Sequence, residues 1–163
     1  MAIRETGSVR ALALVGPTSA GKTALMEALL EAATGTAVRP GEVGDSSPEA
    51  KARGHSVELN LAGFEFMGDR YVVVDCPGSL EFCAEIDPAL PAVDLAIVVA
   101  EPDPAKAVLL QPTLRELERL GVPHALFVNK MDQARGSLQD LLDALAKWAI
   151  AVQRPAPAAT RWN

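Results

Sequence analysis

The residues best able to do chemistry fall in three short clusters, each directly behind an apolar run. The first is Gly16-Pro17-Thr18-Ser19-Ala20-Gly21-Lys22-Thr23, which follows Val9–Val15 (VRALALV). Its spacing fits G-x-x-x-x-G-K-[ST], placed between a predicted strand and a predicted helix as that pattern requires. Glycines let the backbone curl so that successive N–H groups point into one concavity. The following helix adds the positive end of its dipole. Such a cradle holds phosphate. Lys22 would reach the β- and γ-phosphates and stabilise charge during phosphoryl transfer, and the Thr23 hydroxyl would be a magnesium ligand. The cradle alone does not separate adenine from guanine nucleotides.

The second cluster is Asp75-Cys76-Pro77-Gly78, behind Tyr71–Val74 (YVVV). An aspartate at the carboxyl end of a buried strand can hold magnesium through a water. A glycine three residues on gives a backbone N–H that can approach a γ-phosphate closely. Alone, D-x-x-G is a weak signal that an ordinary Asp-Pro-Gly turn also gives, but its place behind a hydrophobic strand and downstream of the first cluster favours the functional reading. The third cluster, Asn129-Lys130-Met131-Asp132, follows Ala125–Val128 (ALFV) and resembles the N-K-x-D guanine-reading motif of GTPases. The Asp132 carboxylate only accepts, so it matches the two N–H donors on the Watson–Crick edge of guanine. Asn129 would tether the loop and touch the base, and the Lys130 stem would lie over the base face. Ligands of open α/β sheets sit at the carboxyl ends of strands, where all three clusters are expected.

The elements that must position these clusters alternate strand and helix. A helix is predicted over Thr23–Ala33, with Gly35 just beyond it. Residues 36–55 are polar and without period, and a loop of that length is usually functional. Ser56–Ala62 (SVELNLA) alternates as a half-buried strand, closed onto Tyr71–Val74 through Gly68-Asp69. A helix is predicted over Leu80–Leu90, a buried strand over Leu95–Ala100, and a helix over Pro112–Leu120 with Gly121 as its stop. Ala125–Val128 reads as another buried strand, and Leu138–Val152 as an amphipathic helix. The tail RPAPAATRWN is expected to be disordered, leaving residues 1–152 as one domain. Five strands and four helices in this order predict an α/β fold. The sheet would be largely parallel, with right-handed crossovers and one antiparallel edge.

Composition narrows the partners. The 163-residue chain is 49% apolar and only 4% aromatic, which suits a parallel sheet wrapped in helices. Its net charge of −6 makes it a poor match for a nucleic-acid backbone, so direct DNA binding is not expected. No apolar run is long enough to span a membrane, and the first ten residues do not read as a signal peptide. Cys76 and Cys83 are read as reduced thiols in a cytoplasmic protein. His55, His124, Cys83, Trp148 and the Arg115–Arg119 charge cluster are read as solvated or packing positions.

The match then becomes closer than a generic GTPase. The stretch from Gly41-Glu42-Val43 through Arg53-Gly54-His55-Ser56 resembles the first switch loop of elongation factor G, which ends in Arg-Gly-Ile-Thr. Asp75-Cys-Pro-Gly-Ser-Leu-Glu-Phe82 resembles that family's Asp-Thr-Pro-Gly-His-Val-Asp-Phe, and Phe127–Asp132 is nearly the family's sequence. The resemblance covers roughly residues 8 to 135. It implies a P-loop NTPase fold of three αβα layers that binds GTP or GDP with magnesium. In complete members this domain stands at the front of a multidomain, ribosome-associated protein. It further implies magnesium ligation by Thr23, Ser56 and Asp75, with Ser56 in place of the switch threonine. Ser19 replaces a P-loop aspartate, and Ser79 replaces the histidine that positions the attacking water. The resemblance also stops before the family's last strand and its guanine-supporting loop. The expected activity is therefore weak GTP hydrolysis. The alternatives are a nucleotide-binding switch with negligible hydrolysis, or a degenerate fragment that binds nothing.

Overall fold

The computed structural model describes residues 8–37, 60–78, 90–134 and 137–146. Five strands form one sheet: β1 (Val9–Val15), β2 (Asn60–Phe66), β3 (Asp69–Asp75), β4 (Leu95–Ala100) and β5 (His124–Val128). The order across the sheet is β2-β3-β1-β4-β5. β1 runs parallel to both β3 and β4, and β4 parallel to β5, while β2 pairs antiparallel with β3. This is the predicted mostly parallel sheet with an antiparallel edge.

Among the described residues three α-helices cover it: α1 (Lys22–Thr34), α2 (Gln111–Leu120) and α3 (Leu138–Ala146). Side chains alternate across each strand, so β1 feeds both faces. Leu14 packs with Val73 against Met26 and Leu30 of α1. Ala13 and Val15, with Val74, Ala96 and Val98, pack against Leu114 and Leu117 of α2 and Leu141 and Leu145 of α3. Two cores thus sandwich the sheet, giving the three αβα layers.

Several elements differ from expectation for identifiable reasons. The described part of β2 runs on to Phe66, four residues past the predicted end, because NLAGFEF keeps alternating. The hairpin turn is then Met67-Gly68, not Gly68-Asp69, since Phe66 pairs with Asp69. Both turn residues have positive φ, 52° and 90°, the handedness that matches strand twist in a two-residue hairpin. Pro104–Leu110 forms a 3-10 segment that no periodicity announced, and Asp103 caps it by accepting from the Ala105 N–H at 3.0 Å. It leads directly into α2. β5, expected to be buried, is largely exposed. Leu126 and Phe127 are 36% and 41% exposed because β5 pairs only with β4 among the described residues. The predicted helix at Leu80–Leu90 lies outside the described residues except for its last position, where Leu90–Ala92 forms a 3-10 turn. The part of the helix predicted over Leu138–Val152 that follows Ala146, the tail, and Ser56, His55, Ser79, Cys83 and Trp148 also lie outside them.

Candidate nucleotide site

The three clusters meet at the carboxyl ends of β1, β3 and β5, with the end of β4 between them. β1 leads into Gly16 and the loop that ends at α1. No side chain caps the N-terminus of α1, so its first N–H groups stay directed into the loop's concavity. Lys22, the first residue of α1, is buried. It is 7% exposed, and its Nζ donates to the carbonyl oxygens of Gly16 and Pro17, both at 3.0 Å. The ammonium therefore ties the loop into a closed ring. Burial pushes its pKa below the ordinary lysine value, with Asp75 and Cys76 opposing that shift.

Asp75 ends β3 and is fully buried. Its Oδ2 accepts from the Thr23 hydroxyl at 2.5 Å, joining the second cluster to the first. Burial raises its carboxyl above the usual carboxylate value, and the Thr23 hydroxyl and Lys22 pull it back. The adjacent Cys76 thiol is buried and free, and burial pushes its pKa up to about 12. Gly78 lies across the mouth of the cradle. A Cβ there would stand 2.6 Å from the Thr18 backbone nitrogen and against the Lys22 ammonium, so only glycine fits. Thr23 Oγ and the Asp75 carboxylate form the hard-oxygen pair that a magnesium ion or its water shell needs. Asp75 Oδ1, buried and without a hydrogen-bond partner among the described residues, leaves the carboxylate with acceptor capacity beyond the Thr23 bond. The residues present fit the metal.

The third cluster is fastened to the first by its own side chains. Asn129 Nδ2 donates to the Ala20 carbonyl at 2.9 Å, and Lys130 Nζ to the Ser19 carbonyl at 2.6 Å. Lys130 sits in the left-handed region, φ 56°, which turns the chain into the Met131–Gln133 3-10 turn. Asp132 stands exposed in that turn. Sequence reasoning missed Glu101, just past the end of β4. Its carboxylate accepts from Lys130 at 2.6 Å and from Lys106, and those bonds, Lys106 first, hold its pKa below the ordinary glutamate value. The rule that site residues follow parallel strands would have found it.

A glycine-lined phosphate loop, a lysine folded into it, and a hydroxyl–carboxylate pair beside it define a P-loop nucleotide-binding domain of the α/β class. A family profile describing the elongation factor Tu GTP-binding domain matches residues 7–155, and the chain belongs to that family, the G domains of translational GTPases. The chain is 41% identical over 144 residues to an elongation factor G-like protein of Synechocystis, covering 85% of this chain and 21% of that protein. It is 35% identical to an elongation factor G-like protein of Mycobacterium tuberculosis over the same share of this chain and 20% of that one. It spans about a fifth of the length of these curated relatives. A solved structure from Thermus thermophilus superposes with TM-score 0.74 and 34% identity, covering 86% of this chain and 22% of that chain. The Methanococcus maripaludis elongation factor SelB, solved with a GTP analogue, shares the fold at TM-score 0.60 and 17% identity, over 88% of this chain and 26% of its own. Among the described residues no helix is long and apolar enough to cross a membrane.

Proposed function

We propose that the chain binds GTP and GDP with magnesium and hydrolyses GTP, as the G domain of an elongation factor G-like protein. The observation that carries this reading is the pair of bonds from Asn129 and Lys130 to the carbonyls of Ala20 and Ser19. They set the base-reading turn at a fixed distance from the phosphate loop, as one nucleotide spanning both requires. In this reading the backbone of Gly16 through Thr23, with Pro17, Thr18, Ser19, Ala20 and Gly21, wraps the phosphates, and Lys22 exchanges its carbonyl partners for phosphate oxygens. Gly78 gives up its place over the cradle to a γ-phosphate, and its N–H then donates to that group. Asp132 accepts from guanine. Magnesium, held by Thr23, Ser56 and Asp75, supplies charge neutralisation for phosphoryl transfer. The ribosome as partner and the cytoplasm as location follow from the same family reading.

A titration with GDP, GTP and ATP, with and without magnesium, tests this function. Guanine nucleotides should bind and ATP should not, and chelation should weaken binding. Equal affinity for ATP and GTP would remove the base-reading role of Asp132.

One sequence observation favours slow hydrolysis. Ser79 stands where the family's histidine orients the attacking water, and a serine hydroxyl is shorter and cannot carry an imidazolium's charge. Single-turnover hydrolysis should be slow in the parent and faster in Ser79→His. A fast parent whose rate survives Ser79→Ala would assign the water to another residue.

A further inference from the structure

Among the described residues, two buried polar atoms beside the cradle have no hydrogen-bond partner: the Asn60 side-chain nitrogen and Asp75 Oδ1. One can only donate and the other, as a carboxylate oxygen, can only accept. Their residues are directly opposite each other in the antiparallel β2–β3 ladder. Opposite residues place their side chains on the same face of a sheet, with Cβ atoms about 4.5–5.5 Å apart.

That face is the one α1 covers. Ala62 and Phe64, in phase with Asn60, pack against the cluster of Leu14, Met26, Leu30 and Val73. Phe64 also stacks on Tyr71, which is in phase with Asp75, with ring centroids 5.3 Å apart. From the same side Thr23 of α1 takes Asp75 Oδ2 at 2.5 Å. Side chains from β2, β3 and α1 therefore converge on one carboxylate, and one oxygen of it is met.

Buried polar groups in native proteins are nearly always satisfied by protein or by ordered water. A donor and an acceptor on directly opposite side chains that do not bond each other are an arrangement that one water can complete. The water accepts from the Asn60 amide and donates to Asp75 Oδ1. We propose that Asn60 is a positioning residue for the metal-binding carboxylate, its amide holding Asp75 Oδ1 through one bridging water while Thr23 holds Oδ2. The inference rests on the reading of Asp75 as a magnesium-binding group. The bridge fixes the plane of the carboxylate through the oxygen that Thr23 does not take. Outer partners of this kind typically change metal affinity by about 10–100-fold when removed.

The experiment is release of a fluorescent GDP analogue from the full 163-residue chain, measured from excess chelator upward in magnesium. Asn60→Ala should raise the magnesium concentration that half-suppresses release by about tenfold or more. Its release rate in chelator should match the parent. Asn60→Asp keeps the shape, loses the donor and sets a like charge beside Asp75, so its shift should be at least as large. Asn60→Ser, which keeps a donor, should fall between parent and Asn60→Ala, and it serves as the measurement if either of the others fails to fold. Unmoved magnesium midpoints overturn the inference. So does faster release of equal size with and without magnesium, which would mark Asn60 as structural only. A parent chain whose GDP release ignores magnesium overturns the reading of Asp75 itself, whereas a responsive parent with unresponsive variants overturns this inference alone.

Discussion

The phosphate end and the base-reading end of the site are built by opposite means. At the phosphate end the charged groups are inside the protein: Lys22 is 7% exposed and Asp75 is 0%. Lys22, at the start of α1, is held by the Gly16 and Pro17 carbonyls, and Asp75, at the end of β3, by the Thr23 hydroxyl. β1 and β3, which lead into these groups, have neighbours on both sides. At the base end Asp132 is exposed, and Lys130 is held by the Ser19 carbonyl and an ion pair with Glu101. The strand that carries it, β5, has one described neighbour and exposes Leu126 and Phe127. Desolvated charges interact strongly and tolerate no removal, whereas exposed ones are screened and replaceable. In the proposed reading, affinity is concentrated at the phosphates and base selection is left to a turn held from outside.

The comparison breaks most visibly at Lys22. Lys22→Ala should weaken GDP binding on the order of a hundredfold or more, about 2.7 kcal/mol or above. Because this lysine also closes the loop and faces the buried Asp75, the variant should lose thermal stability as well, read in the same calorimeter. Undiminished binding would remove the cradle assignment. Asp132→Asn should act on selectivity, not on the fold. Its amide adds donors that suit the second carbonyl of xanthine, so guanine preference should fall by about 1–3 kcal/mol in a competition assay, with the melting temperature unchanged.

Glu101→Gln sharpens the contrast. It releases Lys130 and Lys106 from a partly exposed pair, so GDP affinity should drop only a few-fold, about 0.2–1 kcal/mol. Its pH dependence follows from its depressed pKa. A carboxylate whose folded value is lowered contributes above its ordinary range and loses that contribution as pH falls through the folded value. The stability difference between parent and Glu101→Gln should therefore be constant near neutrality and vanish in acid, as thermal melts across pH would show. The smallest effect belongs to β5. Phe127→Thr should change folding stability by only about 0.5 kcal/mol, yet reduce concentration-dependent association in light scattering, since an open apolar strand edge invites pairing.

The same contrast decides what the sequence could reveal. β1 and β4 were legible to the residue, because the apolar runs Ala11–Val15 and Leu95–Ala100, buried toward their carboxyl ends, are bounded by Gly16 and Glu101. The three motifs were legible together, because three such clusters in this order, each just behind a strand, have few other uses, whereas Asp75–Gly78 alone reads as a turn. The exposure of β5 was not legible: ALFV says what a strand can bury and nothing about what covers it. Pro104–Leu110 escaped because a 3-10 turn has no distinct apolar period, and its cap, Asp103, reads as any loop aspartate. Asn60 and Glu101 escaped for a third reason. Each is a single polar residue whose meaning depends on a partner in another element, Asp75 in one case and Lys130 in the other.

Cys76 turns the buried phosphate end into its own clock. The thiol is fully enclosed and carries a pKa pushed to about 12, so in the closed fold it should be inert to alkylating reagents. Modification then proceeds only in molecules that have transiently opened around β3, and its rate counts those openings. With Cys83 replaced by serine, a maleimide time course would report the breathing of the cradle with no nucleotide label at all. A ligand that binds only the closed form slows the clock by the factor one plus its concentration over Kd, so one free sulfur would weigh every candidate nucleotide against the others.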